Sequence, residues 1–129
     1  MPPDTLHRRA FHGIDSIDDL FADVESAVVV VEPERAGPGS WAGAPSAVAA
    51  DGAVFLAYRL RRPVGQGRGY ANVVARSVDG EHFSTVAVLH RDAFGGDSLE
   101  RPCLVRTPDG RWRLYVSVAT PDSKHWRVD

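Results

Sequence analysis

The side chains best suited to chemistry fall in a few short segments. Lys124-His125-Trp126 joins an aromatic face, able to stack on the apolar side of a sugar ring, to two hydrogen-bond donors. The alternative is that Trp126 is core of a strand and its neighbours are solvated, since large aromatics are buried on average. Arg59 ends an apolar run, where a guanidinium either grips a hydroxyl, carboxylate or phosphate as a fork or is merely solvated. Glu100 and Arg101 are adjacent opposite charges, forming either a local ion pair or a ligand contact. Trp41 sits in a glycine-rich stretch and either lines the mouth of a site or enters the core.

Other chemistries lack their context. Gly65-Gln66-Gly67-Arg68-Gly69 precedes a strand-like run over 70–77, whereas a phosphate loop opens a helix. His7, His12, His82, His90 and His125 show no metal-ligand spacing, and there is no Gly-x-Ser-x-Gly elbow. No metal and no cofactor is expected. The single cysteine, Cys103, excludes an internal disulfide, and its place between Pro102 and Leu104 predicts an inert buried thiol. A net charge of −2, with the 15 Lys and Arg residues scattered, gives no reason to expect nucleic acid or an anionic membrane as partner. Residues 1–13 hold no apolar signal core, and no run approaches the ~20 apolar residues of a membrane helix, so the expected location is the cytoplasm.

The elements that must position these side chains are mostly strands. Ser16 with Asp19 makes a weak capping box, and Ile17, Leu20, Phe21 and Val24 recur at helical spacing, predicting a short N-terminal helix over 17–25. Ala27–Glu32 is β-branched and predicts a buried strand. Two prolines and three glycines over 33–43 predict a loop. Beyond Ser46 the sequence is all-β. Runs 46–50 and 53–61 flank Asp51-Gly52, runs 71–77 and 82–89 flank Asp79-Gly80, and runs 104–107 and 111–118 flank Asp109-Gly110. Asp-Gly between apolar runs is a strong hairpin signal, because tight hairpin turns need positive φ.

Two of these hairpins repeat. Ala44-Pro45-Ser46-Ala47-Val48, Asp51-Gly52 and Leu56-Ala57-Tyr58 correspond to Arg101-Pro102-Cys103-Leu104-Val105, Asp109-Gly110 and Leu114-Tyr115-Val116. Pro45 and Pro102 lie 57 positions apart, Asp51 and Asp109 58. An all-strand repeat of this length predicts a partial β-propeller, with a lead-in over 1–43, blade one over 44–99 and part of blade two over 100–129. Two unrelated hairpins of a β-sandwich are the alternative. A propeller needs at least ~4 blades to close. The chain is therefore expected to self-associate or to join the remaining blades of a longer protein.

Residues 43–120 also resemble the blade unit of five-bladed propeller glycoside hydrolases and β-mannoside phosphorylases. The likeness rests on Leu56-Ala57-Tyr58-Arg59, on Ser77-Val78-Asp79-Gly80-Glu81-His82-Phe83, and on Glu100-Arg101-Pro102, where the phosphorylases carry Glu-Asp-Pro. The resemblance implies a central funnel faced by Arg59, with Glu100 as the catalytic acid at its inner edge and Arg101 beside it. Lys124, His125 and Trp126 approach from the next strand, Trp41 lines the mouth, and the ligand is a carbohydrate. The sequence departs from the pattern at Ala44 and Arg101, which stand where carboxylates are expected. Glycoside cleavage needs two carboxylates across the bond, so the isolated chain is expected to be inactive. The rival expectations are a sugar-binding propeller without catalysis and a β-rich assembly module. The Ser-x-Asp-Gly-x-x-Phe segment has its own folding role: Ser77 and Asp79 cap turn amides, Gly80 takes positive φ and Phe83 plugs the sheet.

Overall fold

The fold grows from the Asp-Gly turns. In the computed structural model, which describes residues 24–129, Asp51 and Gly52 have φ of 54° and 72°, and Gly80 and Gly110 have φ of 83° and 82°. Each turn reverses the chain between paired or successive strands. β1 (Trp41–Ala50), β2 (Ala53–Arg61), β3 (Gly69–Ser77) and β4 (Ser84–His90) form one antiparallel sheet in sequence order. A second ribbon follows: β5 (Ser98–Leu99) pairs with β8 (Ser117–Ala119), β6 (Cys103–Arg106) with β7 (Trp112–Tyr115), and β9 (Trp126–Val128) with β8. Val116 joins β7 to β8 and exchanges two 2.9 Å backbone hydrogen bonds with Asp129. Among the described residues these strands make three sheets, β1-β2-β3-β4, β5-β8-β9 and β6-β7, and none closes on itself.

The sequence repeat is also a repeat of structure. Gly43 lies opposite Arg59, but Ser46 lies opposite Ala57, so one extra residue is accommodated at Ala44-Pro45. Leu99 lies opposite Val118, but Cys103 lies opposite Tyr115, so the same irregularity recurs over Glu100-Arg101-Pro102. A proline cannot donate to the ladder, so a bulge is where a strand tolerates it. Ala44 has φ of 51°, the local cost of that bulge.

The two units stack face to face. Tyr58, Val73 and Ala75 build a core on one side of the first sheet, with Val31, Leu56, Leu60 and Phe83 packed against it. The other side receives the second unit. Phe55 meets Trp112 with ring centroids 4.5 Å apart, and Ser46 Oγ accepts a hydrogen bond from Leu104 N at 3.0 Å. Leu99, Val116 and Val118 form a second core with Phe94 and Leu114. Strand alternation puts Trp112, Leu114, Val116 and Val118 on one face. Their counterparts 58 positions earlier, Val54, Leu56, Tyr58 and Leu60, share one face of the first sheet.

Several expectations need correction. Residues 27–32 form no strand, and Val28 and Val29 are 62% and 69% exposed, because no strand among the described residues pairs with the run. Trp41 begins β1 instead of lying in a loop. The strand expected from His82 starts at Ser84, since His82 is still held in the Asp79 turn. Cys103 is exposed: it points to the outer face while Pro102 and Leu104 on either side are buried. The helix expected over 17–25 lies outside the described residues except at its end, where Val24–Ser26 is a single 3-10 turn.

Candidate functional site

Because the strands are antiparallel, the Asp-Gly turns gather at one end of the sheets and the connections 62–68, 91–97 and 120–125 at the other. The candidate side chains collect at this second end. Arg59, near the end of β2, is only 5% exposed. Its Nη2 donates to Glu100 Oε1 at 2.5 Å and to Ser98 Oγ at 3.3 Å. It is therefore not the solvated strand-end arginine of the alternative reading. Burial pushes the Arg59 guanidinium pKa down and the Glu100 carboxylate opposes that shift, with Arg61 and Arg68 adding repulsion. A guanidinium stays charged in such a setting, so the contact is an ion pair. Trp41 lies beneath it, with Arg59 Cζ 5.1 Å from the ring centroid.

The pair is held by its surroundings. Asn72, directly opposite Arg59 in the ladder, donates from Nδ2 to the Glu100 carbonyl at 3.1 Å and so fixes the Glu100 backbone. Gly69 N donates to Ser98 Oγ at 3.0 Å. A Cβ on Gly69 would lie 2.0 Å from the Leu99 carbonyl oxygen and 2.8 Å from Arg59 Nε, so only glycine lets β3 approach β5 this closely. Arg59 Nε and Asn72 Oδ1 are buried without a hydrogen-bond partner. Such atoms cost about 1–3 kcal/mol each, which the ion pair and its packing must offset.

Beside the pair opens a cleft of about 320 Å³, whose walls include Arg68, Asp97, Ser98, Lys124, His125 and Trp126. Ser98 belongs to both the cleft and the ion-pair cluster, and Arg68 Nη2 lies 3.9 Å from Glu100 Oε1. One rim is the 120–125 loop. It is closed by Thr120 N donating to the His125 carbonyl at 3.0 Å and by His125 N donating to Ser123 Oγ at 3.1 Å. The loop delivers Trp126 into β9 opposite Ala119, with the side chain 48% exposed. On the other rim Asp97 N donates to the Ala119 carbonyl at 3.0 Å, and Arg91 Nη1 to the Asp97 carbonyl at 2.8 Å.

The structure therefore brings Trp41, Arg59 and Glu100 together, and sets Lys124, His125 and Trp126 in the adjoining cleft. Arg101 is elsewhere. Its Nη2 reaches the Pro45 carbonyl at 3.3 Å and ties the second bulge to the first, while Glu100 pairs with Arg59 instead of its neighbour. Sequence reasoning missed Arg68, Gly69, Asn72, Asp97 and Ser98. Among the described residues no group of three or more His, Cys, Asp and Glu side chains could hold a metal ion, and no helix is long and apolar enough to cross a membrane. Asp79 is occupied in its own turn: its Oδ1 accepts from Glu81 N at 2.9 Å and His82 N at 2.8 Å, and its Oδ2 lies 2.7 Å from His82 Nδ1. Chemically, the arrangement offers a fixed ion pair beside an open, mixed-charge cleft with one aromatic face. No protein-family model matches the chain, and neither does any of the curated proteins or solved structures with which it was compared.

Proposed function

We propose that the chain is a blade and a half of a β-propeller whose loop-bearing end binds carbohydrate, without completing a catalytic centre of its own. The repeated bulge and the same-sense stacking of the two units support the propeller reading. The observation that carries the binding reading is the cleft beside Arg59 and Glu100, in which a half-exposed Trp126 stands among Arg68, Asp97, Lys124 and His125. Sugars are recognised by such a mixture: a flat apolar surface for the ring face and fork-like or carboxylate groups for the hydroxyls.

The cleft argues against catalysis within this chain. Glycoside cleavage needs two carboxylates on opposite sides of the bond. Asp97 lines the cleft and Glu100 does not, and the Glu100 carboxylate is engaged by Arg59. A glycosidase or phosphorylase built on this unit would draw a second acid from another part of its propeller. The test is calorimetric titration of the full chain with a panel of neutral and acidic oligosaccharides, run beside a turnover assay on aryl glycosides with and without phosphate. Saturable binding with no turnover is expected. The absence of binding across the panel overturns the binding reading, and turnover that disappears in Glu100→Gln overturns the non-catalytic one.

A β-rich assembly module is the second reading. Val86 and Val88, 59% and 48% exposed, lie on β4 at the edge of the first sheet, and Val128, 66% exposed, lies on β9 at the edge of the second. Unpaired apolar edges template strand addition. Concentration-dependent oligomers by light scattering, with no affinity for any glycan, favour this reading.

A further inference from the structure

We infer that the cleft takes an acidic sugar, a hexuronic acid unit, with its carboxylate on Lys124 and Arg68 and its ring over Trp126. The inference rests on the carbohydrate-binding reading above and names the substrate class of that site. It follows from an inventory of the polar groups in the wall. The Ser98 hydroxyl already bonds Gly69 N and the Arg59–Glu100 pair. The Ser123 hydroxyl donates to the Thr120 carbonyl at 3.2 Å and accepts from His125 N. These two are spent on the fold. The Lys124 ammonium, the His125 ring and the Asp97 carboxylate make no hydrogen bond or ion pair with any described residue, and Arg68 has only its 3.9 Å approach to Glu100, whose nearer partner is Arg59.

The charge of these groups selects the ligand. Arg68 and Lys124 bring two positive charges against one negative charge on Asp97, leaving one in excess. A neutral sugar leaves that excess uncompensated. A uronate carries one negative charge and matches it, whereas a phosphate ester carries about −1.5 to −2 at pH 7 and overshoots. Asp97 accepts hydrogen bonds only, so it suits ring hydroxyls and repels a second anion at its own side of the cleft. The ligand is thereby oriented, with its carboxylate toward Lys124 and its hydroxyls toward Asp97. Trp126 supplies a face that free inorganic anions cannot use.

The experiment titrates the full chain with three probes: a neutral glucan trisaccharide, a trisaccharide with one galacturonate unit and two neutral units, and glucose 6-phosphate. The galacturonate is expected to bind about tenfold more tightly than the neutral sugar, the scale of one charge-assisted hydrogen bond. Added salt should erase part of that margin, because the cations are exposed. Lys124→Gln is expected to abolish the preference while leaving the melting temperature unchanged, and Lys124→Arg to restore it. Equal affinity for the neutral and acidic trisaccharides overturns the inference and leaves the carbohydrate reading standing. A preference that survives Lys124→Gln, or tighter binding of glucose 6-phosphate than of galacturonate, overturns it as well. Failure of all three probes to bind removes the carbohydrate reading and the inference together.

Discussion

Replacing Glu100 by glutamine asks how much the fold depends on the ion pair at its loop-bearing end. The Arg59 side chain is 7% exposed and that of Glu100 25%. Breaking a buried pair by removing one partner costs about 3–5 kcal/mol, because a charge is left in the interior without compensation. Two features adjust that figure. Glutamine keeps an acceptor for Arg59 Nη2, and a quarter of the Glu100 side chain already faces water. Against this, Arg68 remains nearby and its charge then repels Arg59. The expected loss is about 2–3 kcal/mol, well above the ~0–1 kcal/mol of a surface pair. Urea unfolding followed by tryptophan fluorescence measures it, and Trp41, 5.1 Å from the guanidinium, reports on the site itself. The midpoint should fall with an unchanged m value. Arg59→Met should cost a similar amount, and the double variant should cost less than the sum of the two by about 2 kcal/mol, since residues in one ion pair are coupled. A Glu100→Gln variant within about 0.5 kcal/mol of the parent, or an additive cycle, refutes this account of the pair.

Four further outcomes follow from the same structure. Gly69→Ala should destabilise by about 3 kcal/mol or more in thermal unfolding, because the new Cβ meets a backbone carbonyl that has little room to retreat. The backbone amides of His82 and Glu81 hold the Asp79 carboxyl far below the usual range, so its stabilisation is complete above the unfolded value near pH ~4 and is lost as pH falls. Asp79→Asn should therefore flatten the acid side of the melting profile. Asp79 in turn raises the pKa of His82, so that contribution is full below about pH 6.5 and fades as pH rises through the folded value. His82→Gln should remove the decline that sets in as pH rises above about 6.5. Cys103 is exposed and should react with a disulfide reagent in the native protein nearly as fast as in urea; strong native protection would return it to the interior.

The sequence made local structure legible and left long-range pairing hidden. Each Asp-Gly turn marks its own position, because the need for positive φ is written into two adjacent residues. That is why 53–61 is β2 with no change of bounds. The repeat was equally visible, since Pro45 and Pro102 recur with the turns that follow them. Burial was harder. Ala27–Glu32 has the composition of a buried strand, but composition does not provide the partner strand that would bury it. Cys103 was misjudged because the alternation of Pro102, Cys103 and Leu104 across the sheet becomes readable only when the bulge at Glu100-Arg101-Pro102 sets its phase.

The site shows the same division more sharply. Trp41 and the Lys124-His125-Trp126 cluster could be singled out by residue type, and Arg59 and Glu100 through the resemblance to the propeller enzymes. Their partners could not, because Glu100 meets Arg59 across 41 positions of chain, and Asn72 meets the Glu100 carbonyl across 28. One signal was available. Once β2 and β3 are paired across the 62–68 connection with the one-residue register shift between Leu60 and Arg61, Asn72 stands opposite Arg59, and a polar residue facing a buried cation is the mark of a shared network. Gly69 ends the glycine-rich stretch that could be read as a phosphate loop. Its role is instead to bring β3 within contact of Ser98 and Leu99, and so to seat Arg68 at the lip of the cleft. The adjacent strands are thus joined at this end mainly by polar groups that fix Glu100, while the groups left over, Asp97, Lys124 and His125, face outward. That separation into a spent cluster and an unspent one is the physical reason to look for a ligand in the cleft and not at the ion pair.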